Sequence, residues 1–190
     1  ADIIYAVGEY EAAVIKREFP KKNIRCVPAY IYDAIPEDRE PVLKGRKNLL
    51  FVGGFGHPPN IDAVLWFGKR IFPKVLKVYP DIMWYIVGAK ATDEIKELEN
   101  EHIRLLGYVS DEELRDLYRT CRLVVVPLRY GAGVKGKVVE CMYHQAPFIT
   151  TPIGAEGLGM AEDEFAIVDA DYMMAEAIVD LYANDEKLMK

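Results

Sequence analysis

The sequence lacks the features that define membrane-spanning, disulfide-rich and nucleic-acid-binding proteins. No apolar run approaches the roughly 20 residues that a helix needs to cross a bilayer, so we expect no transmembrane segment. The 190 residues include only three cysteines, widely spaced and odd in number, which argues against a disulfide framework. Acidic residues outnumber basic ones, 30 to 24, and the net charge of −6 argues against a nucleic-acid partner.

The N-terminus also lacks the features of a secretory signal peptide, because ADIIYAVGEYEAA has no basic leader and contains acidic residues early. The chain has no initiator Met and stops within a helical pattern. We therefore expect a piece of a longer cytoplasmic protein. In that compartment Cys26, Cys121 and Cys141, which have apolar neighbours, are expected to be reduced residues of the core.

Apolar residues make up 51% of the chain, which is enough to fill a core, and the 28% that are charged can cover a surface. Short continuous apolar runs predict strands buried on both faces, as in a parallel sheet covered by helices. These runs are Ile24–Pro28, Asn48–Val52, Met83–Val87, Ile103–Leu106, Leu123–Pro127, Pro147–Thr151 and Phe165–Val168. From residue 48 onward they alternate with helical patterns, which indicates a doubly wound α/β domain.

Local signals refine two of these helices. An apolar stripe from Ile61 to Leu76 predicts one long helix, although Pro73 should kink it or restart it. Ser110 and Glu113 form a capping-box pattern that predicts the start of another helix.

The first 45 residues have a different pattern. A helix is predicted over Tyr5–Phe19 and a short strand follows it. Residues 29–47 are polar and contain two prolines and a glycine, which predicts an interdomain linker entering the α/β unit at about residue 48.

A glycine-rich turn follows the first strand of this unit, in the segment LLFVGGFGHPPN. Gly53 and Gly54 would let the backbone approach a ligand, and the helix start after them favours an anion. Tight turns use glycine as well, so a purely structural role stays open. His57 is a candidate donor to a phosphate or a sugar, or an incidental loop residue. The spacing does not match the dinucleotide fingerprint.

A second glycine-rich turn, in VVVPLRYGAGVKGKVVECM, is the strongest candidate for a site. A buried strand ends, Gly131, Gly133 and Gly136 follow, and a helix begins near residues 135–137. Helical spacing puts Lys137 and Glu140 on one face, at the mouth of the sheet. Free N–H groups and a lysine suit a diphosphate, and a carboxylate one turn later suits the vicinal hydroxyls of a ribose. The alternative is a surface ion pair between Lys137 and Glu140, worth a few tenths of a kcal/mol.

Several segments, in this order and spacing, resemble the C-terminal domain of GT-B glycosyltransferases of the family-4-like group. They are GGFGHPPNIDAVLWF, GYVSDEELRDLYRTCRLVVVPL, GAGVKGKVVECM and TTPIGAEGL. The resemblance covers about residues 48–190, which it identifies as a Rossmann-like donor-binding domain. Residues 1–28 look like the end of the N-terminal acceptor domain, and residues 29–47 like the interdomain linker.

The resemblance implies a UDP- or GDP-linked sugar as donor, no separate cofactor and no metal. It also implies retention of anomeric configuration, and a glycan or lipid-linked acceptor bound through the N-terminal domain. The full-length protein could then lie on the inner membrane face. Lys137 and Glu140 would be the catalytic residues. The other donor-binding residues would be Gly53, Gly54, His57, Tyr108, Val109, Arg129, Gly131, Ala132, Gly133, Val134, Lys135, Gly136 and Val138.

This chain departs from the family pattern, in which a Glu, seven residues and a second Glu bracket the donor loop. Glu140 matches the second Glu, which binds the ribose, but the position of the first holds Ala132. The Arg and Lys that many members place after the first strand are replaced by His57 and Asn60. Three cations are left to hold the diphosphate: Lys137, Lys135 and Arg129. We expect Lys137 to make the largest contribution. The base is expected against Gly107–Val109, although Tyr108 is equally well explained as a packed aromatic.

Three other hypotheses are kept. Asp169 and Asp171 form an Asp-x-Asp pattern, but they flank a predicted helix start, where acids are favoured without a metal. A nucleotide-sugar epimerase of the same fold would act without an acceptor. A non-catalytic domain that binds nucleotide or a partner would show no transfer even at full length, and Ala132 lends this alternative some support.

Overall fold

The structure, a computed structural model, describes residues 1–27, 32, 43–159, 166–168 and 171–188. It begins with a βαβ unit formed by strand β1 (Ile3–Ala6), helix α1 (Glu9–Glu18) and strand β2 (Asn23–Cys26), whose strands are parallel. The helix predicted over Tyr5–Phe19 is therefore wrong at its start, since Tyr5 lies in β1. An apolar run of four residues is too short for its periodicity to distinguish a strand from a helix turn.

Strand β2 differs from the buried strand predicted at Ile24–Pro28. Of its residues only Ile24 is half-buried and the others are exposed. Because the N-terminal sheet has two strands, both are edges, and β2 cannot be enclosed as a central strand is. The expectation that Cys26 is a core cysteine is wrong for the same reason, whereas Cys121 and Cys141 are buried as predicted.

The rest of the described chain alternates strands and helices. The strands are β3 (Lys47–Val52), β4 (Trp84–Val87), β5 (Ile103–Gly107), β6 (Cys121–Val126), β7 (Phe148–Thr150) and β8 (Ala166–Ile167). The helices are α2 (Pro58–Trp66), α3 (Phe72–Val78), α4 (Asp93–Lys96), α5 (Asp111–Thr120), α6 (Gly136–Tyr143), α7 (Pro152–Ala155), α8 (Asp171–Ala183) and α9 (Asp185–Leu188). Each strand predicted after residue 47 is present, with ends shifted by at most two residues.

Strands β3 to β8 form one parallel sheet in the order β5-β4-β3-β6-β7-β8. Counted from β3, this is the strand order 3-2-1-4-5-6 of doubly wound dinucleotide-binding folds, so the predicted fold class is confirmed. The chain adds strands on one side of β3 and then returns to its other side. A crevice therefore opens between β3 and β6 at their carboxyl ends, which is where such sheets bind ligands.

The core lies on both faces of this sheet. All six residues of β6 are buried because the strand is central and helices cover it on either side. On one face Trp84 packs at 4.7 Å from Phe67 and 5.7 Å from Phe72, measured between ring centroids. This aromatic cluster holds the long helical region against the sheet.

The helical region from residue 58 to residue 78 is interrupted as expected. A π-helical turn, Phe67–Ile71, separates α2 from α3, and Pro73 lies in the first turn of α3. Proline lacks an N–H donor, and the wider π turn relieves the clash of its ring with the preceding turn. At α5 the predicted capping box is present, since Ser110 and Glu113 bond to each other's backbone N–H.

Some predictions fall outside the described residues. Most of the linker predicted at 29–47 does, and so do Asp169 and Ala170. Within the described ranges, no group of three or more His, Cys, Asp or Glu side chains is placed to hold a metal ion. None of the helices in those ranges has the length and apolar character needed to cross a membrane.

Candidate functional site

A cleft of about 370 Å³ occupies the crevice between the carboxyl ends of β3 and β6. Its walls come from four places: the end of β3, the start of α2, the segment after β6, and α6. The residues that line it are Val52, Gly53, His57, Pro59, Asn60, Leu128, Tyr130, Gly131, Ala132, Val134, Lys135, Gly136, Lys137 and Glu140. The strand order thus brings together the two glycine-rich turns that lie some 80 residues apart in the sequence.

The backbone of the turn after β6 is rich in unused hydrogen-bond donors. None of the N–H groups of residues 129–137 donates a hydrogen bond to any described residue. Gly131 and Gly133 have φ angles of 129° and 75°, values that other residues rarely adopt, and the cap of α6 has no side-chain hydrogen bond. Free N–H groups followed by a helix start form an anion-binding arrangement.

Lys137 extends from α6 across the crevice to the first turn. Its Nζ donates a hydrogen bond of 2.5 Å to Asn60 Oδ1 and lies 4.5 Å from the ring centroid of Phe51. Asn60 in turn donates from Nδ2 to the Gly54 carbonyl oxygen at 2.7 Å. Burial lowers the pKa of Lys137 to about 7, against the opposing effects of Cys141 and Glu140. An anion in the cleft would restore the charged form.

Asn60, noted in the sequence only as a replacement, proves to be one of the site residues that the sequence did not predict. It is 6% exposed, and its amide is the link that holds Lys137 against the first turn. The signal comes from the structure, because an asparagine buried in the first turn of a helix requires partners for its amide group.

The two glycines of the first turn have different roles. A Cβ at Gly53 would lie 2.5 Å from Lys137 Nζ and 2.9 Å from Asn60 Nδ2, so only glycine leaves room for that pair. Gly54 has open space around it and contributes its carbonyl oxygen to Asn60.

Glu140 lies one turn along α6 from Lys137 and is bound from the opposite side. Its Oε2 accepts a hydrogen bond of 3.1 Å from the Tyr118 hydroxyl, and Oε1 has no partner among the described residues. Burial is the main cause that raises the pKa of Tyr118, so this hydroxyl stays protonated as a donor. The alternative of a Lys137–Glu140 surface ion pair is wrong, because Lys137 bonds to Asn60 instead.

The other two predicted cations are already paired. Lys135 Nζ donates to the Gly133 carbonyl oxygen and lies 3.1 Å from Glu156 Oε2. The Arg129 guanidinium forms an ion pair with Asp62 and does not line the cleft. Of the three cations, Lys137 is the one with no acidic partner in the part of the chain that is described.

The remaining predicted residues fall into two groups. Nine line the cleft: Gly53, His57, Gly131, Ala132, Val134, Lys135, Gly136, Lys137 and Glu140. Those that do not line it are Gly54, Tyr108, Val109, Arg129, Gly133 and Val138. Val138 is fully buried, whereas Tyr108 is 82% exposed after β5, at the outer edge of the sheet, and is therefore not a packed aromatic.

We expect the Lys137 environment to make stability depend on pH. Between about pH 7 and its ordinary pKa of 10.5, the unfolded chain holds the Lys137 proton while the folded chain has released it. Raising the pH through this window therefore stabilises the folded state, by about 1.4 kcal/mol for each unit of pKa difference that is traversed.

Urea denaturation of the wild type and of Lys137→Met across that window measures this effect. As pH rises, the free energy of unfolding of the wild type should increase relative to that of Lys137→Met. A difference that stays constant would show that the folded state does not perturb Lys137.

Comparison with known proteins adds to this geometry. A family model described as Glycosyl transferases group 1 matches residues 46–184. An uncharacterized 44.6 kDa protein in the cps region of Klebsiella pneumoniae is 32% identical over 145 residues, covering 72% of this chain and 37% of that protein. A phosphatidyl-myo-inositol mannosyltransferase of Mycolicibacterium smegmatis is 26% identical over 157 residues, covering 77% of this chain and 40% of that enzyme.

Solved structures share the fold. A crystal structure of a variant of S. aureus TarM, in complex with Fondaparinux, alpha-GlcNAc-glycerol and UDP, matches with a TM-score of 0.76 at 16% identity. The match covers 99% of this chain and 38% of that one. The chain therefore spans well under half the length of these relatives.

Proposed function

The chain belongs to the family of group 1 glycosyl transferases, and we propose on that premise that its cleft holds the sugar donor, a UDP- or GDP-linked sugar. One observation supports this proposal above the others. Lys137, which has no acidic partner among the described residues, lies in the same cleft as the free N–H groups of the turn after β6. Together they provide positive charge and donors where the fold binds ligands.

We assign the diphosphate to the end of the cleft that is formed by Lys137 and the start of α6. Its oxygens would accept hydrogen bonds from the N–H groups at the start of α6 and from Lys137. Asn60 keeps the lysine directed across the crevice, because its own amide is fixed by the Gly54 carbonyl oxygen. The S. aureus TarM structure was solved with UDP, which supports a nucleoside diphosphate as the ligand class.

The ribose is assigned to Glu140, whose Oε1 has no partner among the described residues. A carboxylate oxygen accepts hydrogen bonds from vicinal hydroxyls, and the Tyr118 hydroxyl fixes the orientation of the group. The base would then extend towards β5, where Tyr108 is exposed.

Transfer breaks the bond between sugar and diphosphate, so negative charge grows on the leaving phosphate. Lys137 and the free N–H groups would stabilise that charge in place before the reaction begins. We further propose a retaining, metal-independent reaction, as the family resemblance implies. The acceptor would bind through the N-terminal part of the full-length protein, and the name of the mycobacterial relative supports a lipid-linked one. The 190-residue chain alone should bind donor nucleotide weakly and transfer little or no sugar.

The ribose assignment leads to a prediction about Glu140. The wild-type chain should bind UDP or GDP about tenfold more tightly than the corresponding 2′-deoxynucleotide, because a hydrogen bond to a charged group contributes about 1.5–3 kcal/mol. In Glu140→Gln this preference should shrink to about twofold, while binding of the deoxynucleotide changes little. Isothermal titration calorimetry with the four nucleotides measures both preferences.

Glutamine is the informative replacement because it can still accept the Tyr118 hydrogen bond, whereas alanine would leave that buried hydroxyl without its acceptor. Glu112→Gln serves as the control, because it removes the same negative charge from an exposed position in α5. It should keep the wild-type preference. A full 2′-hydroxyl preference in Glu140→Gln would contradict the ribose assignment.

A further inference from the structure

The first turn of α1 lies against the turn that follows β6. A Cβ placed at Gly133 would lie 3.1 Å from Glu11 Oε1, and one placed at Gly8 would lie 3.7 Å from Val134 Cγ2. These four residues come from segments that lie more than 120 residues apart in the sequence. The N-terminal βαβ unit thus contributes one wall beside the proposed donor site.

Glu11 is the acidic residue of this wall. Its side chain is half-buried, and it forms no hydrogen bond or ion pair with any described residue. It approaches a loop whose N–H groups are also free. The Glu11 carboxylate therefore borders the loop while keeping its acceptor oxygens available for a ligand that is held there.

The chemistry of that third group follows from the acceptors present. Beyond the diphosphate the donor has a sugar, whose hydroxyl groups are hydrogen-bond donors that need acceptors. On the loop itself Ala132 contributes only a methyl group, and Glu140 is assigned to the ribose. Two carboxylates of the described residues lie near Gly133: Glu156 is paired with Lys135, whereas Glu11 has no partner among those residues and is the one available for the sugar.

We propose that Glu11 determines which sugar the site accepts, by accepting hydrogen bonds from hydroxyls of the transferred sugar. This inference rests on the proposed function, since it presupposes a nucleotide sugar in the cleft. It assigns part of the donor site to α1, which precedes the donor-binding domain in the chain.

A role in helix capping would predict something different. Glu9 and Glu11 both lie in the first turn of α1, where an acidic group interacts favourably with the helix dipole. Glu9 is exposed and is not among the atoms nearest to a Cβ placed at Gly131 or Gly133. Glu9→Gln therefore removes the same charge from the same turn without removing the proposed contact, and it is the matched control.

The test compares nucleotides with and without the sugar. UDP, UDP-glucose, UDP-N-acetylglucosamine, GDP and GDP-mannose are titrated into the wild type, Glu11→Gln and Glu9→Gln. For a sugar nucleotide that binds, Glu11→Gln should weaken its binding about tenfold or more relative to the free diphosphate. Binding of the diphosphate itself should be unchanged or tighter, since a negative charge near it has been removed. Glu9→Gln should leave the relative affinities as in the wild type.

A second variant separates a sugar contact from a folding effect. Adding Ala132→Glu to Glu11→Gln puts a carboxylate back next to Gly133 and should recover most of the lost sugar affinity. Unchanged relative affinities in Glu11→Gln, or equal losses in Glu9→Gln, would overturn the inference while leaving the donor cleft in place. If the wild type binds none of the five nucleotides, the proposed function fails and this inference with it.

Discussion

Lys137→Met should weaken binding of UDP or GDP by about 100-fold and at the same time make the unliganded chain more stable. The loss of affinity follows from removing the cation of the cleft that has no acidic partner among the described residues, because charge-assisted hydrogen bonds to phosphate contribute about 1.5–3 kcal/mol each. Methionine keeps most of the aliphatic stem and loses the ammonium group, which lies over the Phe51 ring. The expected loss is therefore one of charge and hydrogen bonding.

Lys137→Met should raise the stability of the chain although it lowers its affinity for nucleotide, and the reason is physical. Burial lowers the pKa of Lys137 to about 7, so near neutral pH the folded chain either holds a poorly solvated charge or gives up a proton. Replacing the lysine removes that cost but leaves Asn60 Oδ1 without its donor. We expect a net increase of about 1–2 kcal/mol in the free energy of unfolding at pH 7. Opposite changes in stability and binding are typical of functional residues.

Calorimetric titration and urea denaturation of the same two preparations measure both effects. Lys69→Met is the control, because it removes the same positive charge from an exposed position on the π-helical turn. It should alter binding less than about twofold. Binding by Lys137→Met within about threefold of the wild type would contradict the assignment of the diphosphate to this lysine.

Gly88→Ala should be the most destabilising small substitution near the site. A Cβ at this position would overlap the carbonyl oxygen of Gly53 and would lie 2.9 Å from its carbonyl carbon and 3.1 Å from Phe55 Cε2. The obstructing atoms are mainly backbone, held by hydrogen bonds of 2.9 Å from Gly53 N–H to Val87 and from Phe55 N–H to Ala89. They cannot move aside as a flexible side chain would, so the ends of β3 and β4 must separate.

The expected cost is about 3 kcal/mol in the free energy of unfolding, at the upper end for overpacked sites. In a domain of this size that lowers the midpoint of thermal unfolding by roughly 6–12 °C. Nucleotide affinity should fall too, because the displaced Gly53 borders Lys137 and Asn60. Differential scanning calorimetry measures the midpoint. Gly56→Ala is the control, since its Cβ would meet only Lys90 Cδ at 3.8 Å, and a similar loss in both variants would contradict the argument.

Local patterns in the sequence were enough to predict the α/β class and nine of the residues that line the cleft. Continuous apolar runs such as those of β3 and β6 form buried parallel strands whatever their neighbours are. The spacing of Lys137 and Glu140 is a property of one helix, and the glycines before them are a property of one turn. Strand β1 was missed because four residues contain too little periodicity, and Cys26 was misplaced because edge and central strands can have similar composition.

Contacts between distant segments could not be predicted from the sequence and are seen only in the tertiary structure. The strand order places the turns after β3 and β6 side by side, and no local pattern specifies that order. Only then does Asn60 meet Lys137, and only in the folded chain do Glu156 and Asp62 pair with the two other candidate cations. The approach of Glu11 to Gly133 has the same origin. The residue types suited to a diphosphate were therefore evident from the sequence, whereas packing decided which of the three cations has no acidic partner among the described residues.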